Sequence, residues 1–158
     1  MTSLAKPHAL QKFNTDLSNF DTDVSIVVET WFKAYHRLNF TNIPDYNLFR
    51  RDRTSRRGGG VAVYVRSSLN SKICDYQIAD VRIELLWIEV TFDNRTYIIG
   101  ALYHPPKPLY KDAELLFEIE NSLAKFTANY SNATIMLAGD FNQLSDICIQ
   151  QLALQPSP

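Results

Sequence analysis

The chain has 158 residues, of which 46% are hydrophobic and 21% charged, with a formal net charge of -1. This length allows one domain with a substantial core, and the near-neutral balance excludes a strongly basic or acidic protein. No apolar run reaches membrane-spanning length, and the N-terminus lacks the apolar segment of a signal peptide. We therefore expect a single-domain intracellular protein, nuclear or cytoplasmic, with no membrane partner. Cys74 and Cys148 have no metal-ligand spacing and are expected to be buried free thiols.

The first elements are a helix and a buried strand. Leu10, Phe13 and Leu17 recur at helical spacing and predict an amphipathic helix over residues 7–18. A β-branched run over residues 24–28 predicts a buried strand that ends on Glu29, an acid just where the strand leaves the core. The following residues, up to about 42, have no clean period and predict a loop with at most a short helical turn.

An arginine-rich segment lies between two further predicted strands, residues 46–49 and 61–65. A hairpin with this segment at its tip is the simplest interpretation. A solvated loop and a nucleic-acid contact both remain open, but five arginines with one acid leave the rest of the chain acidic, which suits phosphate binding. The five are Arg50, Arg51, Arg53, Arg56 and Arg57. The glycine triplet at residues 58–60 enters a strand with no Lys-Ser/Thr after it, which argues against a P-loop.

A second hairpin is predicted from apolar runs over residues 83–91 and 97–102, joined by a turn near Asp93. Prolines follow the second strand and end it, which fixes Tyr103 and His104 at its terminus. Tyr103 is either a half-buried aromatic residue or part of a site. We expect His104 to be a surface residue.

The last elements are a helix over residues 112–128 and a strand over residues 135–138, which the apolar pattern predicts to be buried. Asp140 and Asn142 follow that strand. If the backbone stays extended they project to one side, where the carboxylate could take a proton from water or bind a metal and the amide could donate to a phosphate oxygen. An Asx turn is the alternative. Weak helical character follows over residues 144–154. The order of elements fits an α/β (α+β) fold with a layered, mixed sheet.

Five motifs occur in one order and together resemble the endonuclease/exonuclease/phosphatase superfamily, in particular the apurinic-type endonuclease domain of non-LTR (LINE-type) retrotransposons. The resemblance covers essentially the whole chain and implies a four-layer α/β/β/α sandwich with the site at one edge. The motifs are Val28-Glu29-Thr30-Trp31, Arg51-Asp52-Arg53 with Gly58-Gly59-Gly60-Val61-Ala62-Val63-Tyr64, Glu84-Leu85-Leu86-Trp87, Gly100-Ala101-Leu102-Tyr103-His104-Pro105-Pro106, and Gly139-Asp140-Phe141-Asn142.

The resemblance also implies the chemistry, which is phosphodiester hydrolysis of DNA with Mg²⁺ or Mn²⁺ and no small-molecule organic cofactor. Glu29 would be the metal ligand, Asp140 would orient or deprotonate the attacking water, and Asn142 would bind the scissile phosphate. Tyr103 would lie near the phosphate and the leaving oxygen. The five arginines would lie against the DNA backbone, which positions a duplex without reading its sequence.

Two departures from the family pattern concern the ends of the domain. Residues 1–6 match only the tail of the opening motif, whose asparagine is missing, and no histidine follows His104 to complete a Ser-Asp-His motif. We therefore expect a partial sandwich over residues 1–158, incomplete at its first strand and its last strands. Whether the chain is an active enzyme stays open, and weak or no nuclease activity is the expectation.

Three functions are compatible with these patterns. The first is a nicking endonuclease of a retroelement, accompanied in such elements by a reverse transcriptase. The second is a non-catalytic remnant that at most binds nucleic acid through the arginine-rich loop. The third is a phosphatase or phospholipase of the same superfamily, against which the arginine-rich loop argues. The sequence does not set the oligomeric state.

Overall fold

The structure is a computed structural model that describes residues 3–144. Within this range the chain forms three helices and seven strands. In chain order they are α1 (Ala9–Asn19), β1 (Val24–Val28), α2 (Leu38–Thr41), β2 (Tyr46–Arg51), β3 (Val61–Arg66), β4 (Asn70–Ile73), β5 (Glu84–Phe92), β6 (Arg95–Tyr103), α3 (Asp112–Asn129) and β7 (Thr134–Asp140). None of these helices is both long and apolar enough to span a membrane.

The strands form two sheets. The first is antiparallel with the order β1-β3-β2, and the second has the order β4-β5-β6-β7. Only β6 and β7 run parallel within the described part, because α3 provides the crossover that a parallel pair requires. The predicted β5–β6 hairpin is confirmed, with Asp93 and Asn94 at its tip at φ values of 48° and 57°. Such left-handed pairs make the tight turn that matches strand twist.

Three apolar clusters separate four layers. Phe13 and Leu17 of α1 pack on the outer face of the first sheet. The two sheets face each other through a cluster that includes Val63 and Ile99, and α3 covers the far face of the second sheet through Leu115. The order is therefore helix, sheet, sheet, helix, which confirms the expected four-layer α/β/β/α sandwich.

The central strand of the first sheet shows why its sequence is apolar throughout. All of Val61–Val65 is buried, because alternate side chains face either α1 or the second sheet. Strands buried on both faces read as continuous apolar runs rather than as alternating patterns. The start of β3, which follows the glycine triplet, is therefore covered by the α1 layer on one face and by the second sheet on the other.

Strand β7 differs from the prediction that it is buried. It pairs only with β6 in the described part of the chain, and Met136 is 42% exposed. An apolar run shows that a strand can be buried but not whether a neighbour covers it. The short strand β4 was not predicted either. Residues 145–154 of the predicted C-terminal helix, with Cys148, lie outside the described residues.

Cys74 is a buried free thiol, as predicted. Burial raises its pKa to about 12, so the thiol remains protonated at neutral pH. It lies in the core between the second sheet and α3, away from the strand ends that carry polar side chains. A catalytic or metal-binding use of this cysteine has no support in its surroundings.

Candidate active site at one end of the two sheets

Pairing between strands brings the predicted polar termini together. Tyr103 lies opposite Glu84 on one side and opposite Asp140 on the other, so the three residues form a row across the second sheet. From the first sheet, the Tyr103 hydroxyl donates a hydrogen bond to the carboxylate of Glu29. Three strand ends that are far apart in the sequence therefore meet at one end of the sandwich.

Glu29 has an unusual backbone conformation. Its φ is 56°, and that of Trp31 is 60°. The chain stays attached to the glycine triplet past this point, since the Thr30 and Trp31 N–H groups donate to the carbonyls of Gly60 and Gly59 at 3.3 and 2.9 Å. A left-handed non-glycine residue costs on the order of 1 kcal/mol or more and persists where surrounding contacts hold it, commonly at functional sites. The twist directs the Glu29 carboxylate towards Tyr103.

The Glu29 carboxylate receives two hydrogen bonds. One comes from Tyr103 and the other from the indole nitrogen of Trp31 at 3.2 Å. Tyr103 is only 4% exposed, and burial, followed by its bond to Glu29 and that residue's charge, raises its pKa well above the ordinary value. The phenol is therefore neutral at physiological pH and acts as a donor. It cannot serve as a general base there.

A buried ion pair packs against the Tyr103 ring. Arg53 donates from Nε to Glu84 at 2.6 Å, and its guanidinium lies 5.5 Å from the centroid of the Tyr103 ring. Arg53 and Glu84 are 7% and 2% exposed, and Glu84 also accepts the N–H of Gly60. Breaking one partner of such a pair leaves a buried charge without compensation.

The middle glycine of the triplet, Gly59, is explained by this pair. A Cβ at Gly59 would lie 2.3 Å from Nε of Arg53, and the φ of this residue is +69°. Only glycine allows the backbone to pass so close to the guanidinium. Sequence reasoning missed the role of Glu84, although a charged residue at the start of an otherwise apolar strand was a signal for it.

Asp140 and Asn142 form a turn. The N–H of Asn142 donates to Oδ1 of Asp140 at 3.0 Å, and Asn142 has a φ of 45°. The side-chain nitrogen of Asn142 donates to the carbonyl of His104 at 2.7 Å, and the His104 N–H donates to the carbonyl of Asp140 at 2.8 Å. The Asx turn is thus present. The backbone is not extended at Asn142, so the prediction that Asp140 and Asn142 project to one side for that reason does not apply. The turn nonetheless fixes the position of both side chains beside Tyr103.

His104 is buried, which corrects the prediction of a surface residue. It is 3% exposed, its Nδ1 lies 3.1 Å from the Tyr110 hydroxyl, and its Nε2 lies 3.6 Å from a carboxylate oxygen of Asp112. The prolines after it turn the chain towards α3, so the imidazole is covered from that side. Burial lowers its pKa against the opposing charges of Asp112 and Asp140.

The five arginines are divided by the structure. Arg50 and Arg51 belong to strand β2, and they donate to the carbonyls of His36 at 3.0 Å and Ile78 at 2.9 Å. With Arg53, they hold the hairpin against the rest of the fold. Since Arg50 and Arg51 lie in β2, the hairpin tip carries fewer than the five arginines predicted for it. Their guanidinium groups are already bonded within the protein.

Arg56 and Arg57 lie further out. Arg56 donates to the carbonyl of Lys107, and the Arg57 guanidinium lies 5.3 Å from the Trp31 ring centroid. Lys33 ties the loop down by donating from Nζ to the carbonyls of Arg53 and Arg56 at 2.8 and 3.0 Å. Contact of all five arginines with nucleic acid stays a prediction, and Arg57 is the exposed member of the five.

The side chains at the candidate site limit how a metal ion could be bound there. Within residues 3–144 there is no group of three or more His, Cys, Asp or Glu that could hold a metal ion. Mg²⁺ is commonly bound by one or two carboxylates, with phosphate oxygens and water completing its coordination. The single carboxylate of Glu29, oriented by two neutral donors, fits that mode of binding and not an all-protein cage.

Comparison with known proteins decides the family. The model of the Endonuclease/Exonuclease/phosphatase family matches residues 2–146. The chain belongs to this family. Comparison with curated proteins found no significant match.

Solved structures share the fold of this family member. Humanized TDP2 from D. rerio is 19% identical with a TM-score of 0.63, and the match covers 99% of this chain and 69% of that one. The endonuclease domain of TRAS1, a telomere-specific non-LTR retrotransposon, is 13% identical with a TM-score of 0.60 and coverage of 94% and 63%. AP endonuclease LMAP from Leishmania major is 14% identical with a TM-score of 0.56 and coverage of 88% and 52%. Another D. rerio TDP2 structure, of which this chain spans 58%, contains a single-strand DNA product. Such identities establish the fold alone.

Proposed function

We propose that this chain hydrolyses phosphodiester bonds of DNA with a divalent metal, as part of a nicking endonuclease of a retroelement. The observation that carries the proposal is the meeting of Glu29, Tyr103 and Asp140 at one end of the two sheets. Membership of the family supports a phosphoester substrate. The fold shared with a retrotransposon endonuclease domain and an AP endonuclease supports DNA over a lipid or a small phosphate ester.

In the proposed reaction a water oxygen bonds to phosphorus, the bond to the leaving oxygen breaks, and the water proton passes to Asp140. Carboxylates positioned by hydrogen bonds typically contribute about 10²- to 10⁴-fold as general bases. Asn142 would bind a non-bridging phosphate oxygen, and the neutral Tyr103 hydroxyl would lie beside the leaving oxygen. A divalent cation at Glu29, Mg²⁺ or Mn²⁺, would neutralise charge that develops on the phosphate.

We expect the activity of these 158 residues to be weak. No histidine follows His104 in the sequence, and His104 itself is bonded to Tyr110 and buried. A missing electrostatic contact to the transition state costs on the order of 10²- to 10³-fold in rate at comparable sites.

Nicking of supercoiled plasmid at an excess of protein tests the proposal. We expect nicked circles to accumulate in Mg²⁺, to stop with EDTA, and to fall about 100-fold or more with Asp140→Ala, which removes the base. Asp75→Ala is the matched control, because Asp75 is an exposed aspartate outside the candidate site. Nicking that survives Asp140→Ala would contradict the proposed base.

A remnant that only binds nucleic acid is the second candidate. It is favoured by Arg57, an exposed cation whose guanidinium lies over the Trp31 ring beside the candidate site. No nicking at any concentration of Mg²⁺ or Mn²⁺, together with DNA binding that weakens steeply with salt, would support this candidate and exclude the enzyme. Arg57→Ala should then reduce the salt dependence, since each phosphate contact adds to its slope.

A further inference from the structure

The segment between β1 and β2 exposes aromatic side chains. We call residues 31–40 the aromatic loop. Tyr35 is 76% exposed and Phe40 is 44% exposed, although both are large apolar side chains. The imidazole of His36 connects them, since its ring centroid lies 4.5 Å from that of Tyr35 and 4.9 Å from that of Phe40, with the His36 and Phe40 planes only 23° apart. Contiguous exposed rings of this kind generally mark a binding surface.

This ring surface is held in place from beneath. Phe32 is fully buried, and its ring makes an edge contact with that of His36 at 6.1 Å. The backbone N–H of Lys33 donates to Nδ1 of His36 at 3.0 Å, and Arg50 donates to the carbonyl of His36. An aromatic surface fixed before binding loses little conformational freedom when a ligand stacks on it.

The surroundings of the aromatic loop are basic. Residues 31–42 contain Lys33, His36 and Arg37 and no Asp or Glu. Two acids lie near the loop, and both are already bonded. Glu29 accepts hydrogen bonds from Tyr103 and Trp31, and Asp52, which is largely covered, pairs with Arg50 at 3.4 Å. Exposed rings in basic surroundings suit a ligand that combines flat bases with negative charge better than they suit a purely apolar partner.

The aromatic loop begins at the candidate active site. Trp31 donates its indole N–H to Glu29, and the Arg57 guanidinium covers its ring at 5.3 Å. Bases stack on aromatic rings and on guanidinium planes alike. A strand whose phosphate lies at Glu29 would therefore meet the Trp31–Arg57 pair first and the rings around Tyr35 further along the loop.

We propose that the aromatic loop binds single-stranded DNA next to the active site, with unpaired bases stacked on Tyr35 and on the Trp31–Arg57 pair. Arg37 and Arg57 contact the phosphates of the same strand. The choice of DNA as the ligand rests on the proposed function, while the stacking rests on the geometry of the loop.

Binding of a fluorescein-labelled oligo(dT) of about 16 nucleotides, followed by anisotropy in EDTA, tests the proposal. Tyr35→Ala should weaken binding about tenfold, because it removes the ring on which a base stacks. Tyr35→Phe keeps the ring and should bind like the unchanged protein. Phe117→Ala is the matched control, since Phe117 is 60% exposed on α3 in the opposite outer layer.

The contribution of bases is separated from that of charge by an oligomer of equal length made of abasic deoxyribose phosphates. It should bind at least about tenfold more weakly than oligo(dT), since it has nothing to stack. Equal binding of the two oligomers, or unchanged binding by Tyr35→Ala, would overturn the proposal. An equal loss of binding by Phe117→Ala would also overturn it, because the effect would then not be specific to the aromatic loop.

Intrinsic fluorescence reports the Trp31 end of the loop. The chain has two tryptophans, and Trp87 is fully buried. Oligo(dT) should quench the emission of Trp31, and Trp31→Phe should abolish the quenching. Binding without any quenching would exclude Trp31 from the surface. Because these experiments need no cleavage, absent nicking with intact oligo(dT) binding refutes the proposed function alone, and nicking with no preference for oligo(dT) refutes this inference alone.

Discussion

At the scale of single residues, His104 connects the candidate site to α3. Its backbone carbonyl accepts the side chain of Asn142, while its ring lies beside Tyr110 and Asp112. The neutral imidazole suits this buried position, because burial penalises its charged form. The position of Asn142 therefore depends on a titratable group that does not itself face the site.

His104 predicts how stability depends on pH. Its pKa is lower in the folded protein, so the folded state binds fewer protons than the unfolded state as pH falls. Stability should be fully present above the unfolded pKa, near 6.5, and decline as pH falls below it towards the lower pKa of the folded state. Urea unfolding at a series of pH values measures this decline. In His104→Gln the free energy of unfolding should depend less on pH below about 6.5. An unchanged slope in the variant would assign the dependence to other groups.

At the scale of elements, the β2–β3 hairpin is fastened to the start of β5. Arg53 from the loop and Glu84 from β5 form the buried pair, and Gly60 donates its N–H to the same carboxylate. Since Tyr103 pairs with Glu84 across the sheet and its ring faces Arg53, the hairpin loop also supports the candidate site. Loop and site are thus expected to lose order together.

Removal of Arg53 tests this connection. Arg53→Leu leaves the Glu84 carboxylate buried with one fewer partner and should cost about 3 kcal/mol or more in the free energy of unfolding. Arg82→Leu is the control, because Arg82 bonds Asp80 and Glu114 at the exposed surface, where water and salt screen the charges. Chemical denaturation of both variants gives the comparison. Equal losses would show that burial adds nothing to the Arg53 pair.

At the scale of the whole molecule, the described part of the sandwich has an open side. β1 and β7 are edge strands in the described part of the chain, and an apolar groove of about 410 Å³ lies between them. Its lining includes Ile26, Ile99 and Met136. An unpaired edge beside apolar side chains favours association with another strand or another copy of the protein.

A charge on this edge should reduce self-association. Met136→Lys places an ammonium group on β7 at a position that is already 42% exposed, which opposes edge-to-edge pairing. Light scattering over a concentration series should show less association than for the unchanged chain. Phe117→Lys makes the same kind of change on α3, away from the edge, and should have a smaller effect. An equal effect of both variants would attribute the change to net charge.

The sequence by itself determined the local elements and the chemical types at their ends. The β-branched runs, the turn at Asp93 and the period of α3 follow from backbone and side-chain preferences that act over a few residues. The same reasoning placed polar side chains at the ends of three strands, namely Glu29, Tyr103, and Asp140 with Asn142. The ordered motifs then indicated the family and its layered fold, which the structure confirms.

The tertiary structure decided which of those residues meet and which are covered. The bond between Tyr103 and Glu29, the pairing of Arg53 with Glu84 and the burial of His104 join residues far apart in the chain. No periodic pattern encodes such contacts, because they depend on how separate elements pack. For the same reason an arginine that holds the fold and one that faces solvent read alike in the sequence. Only packing showed that Tyr35 remains outside the core.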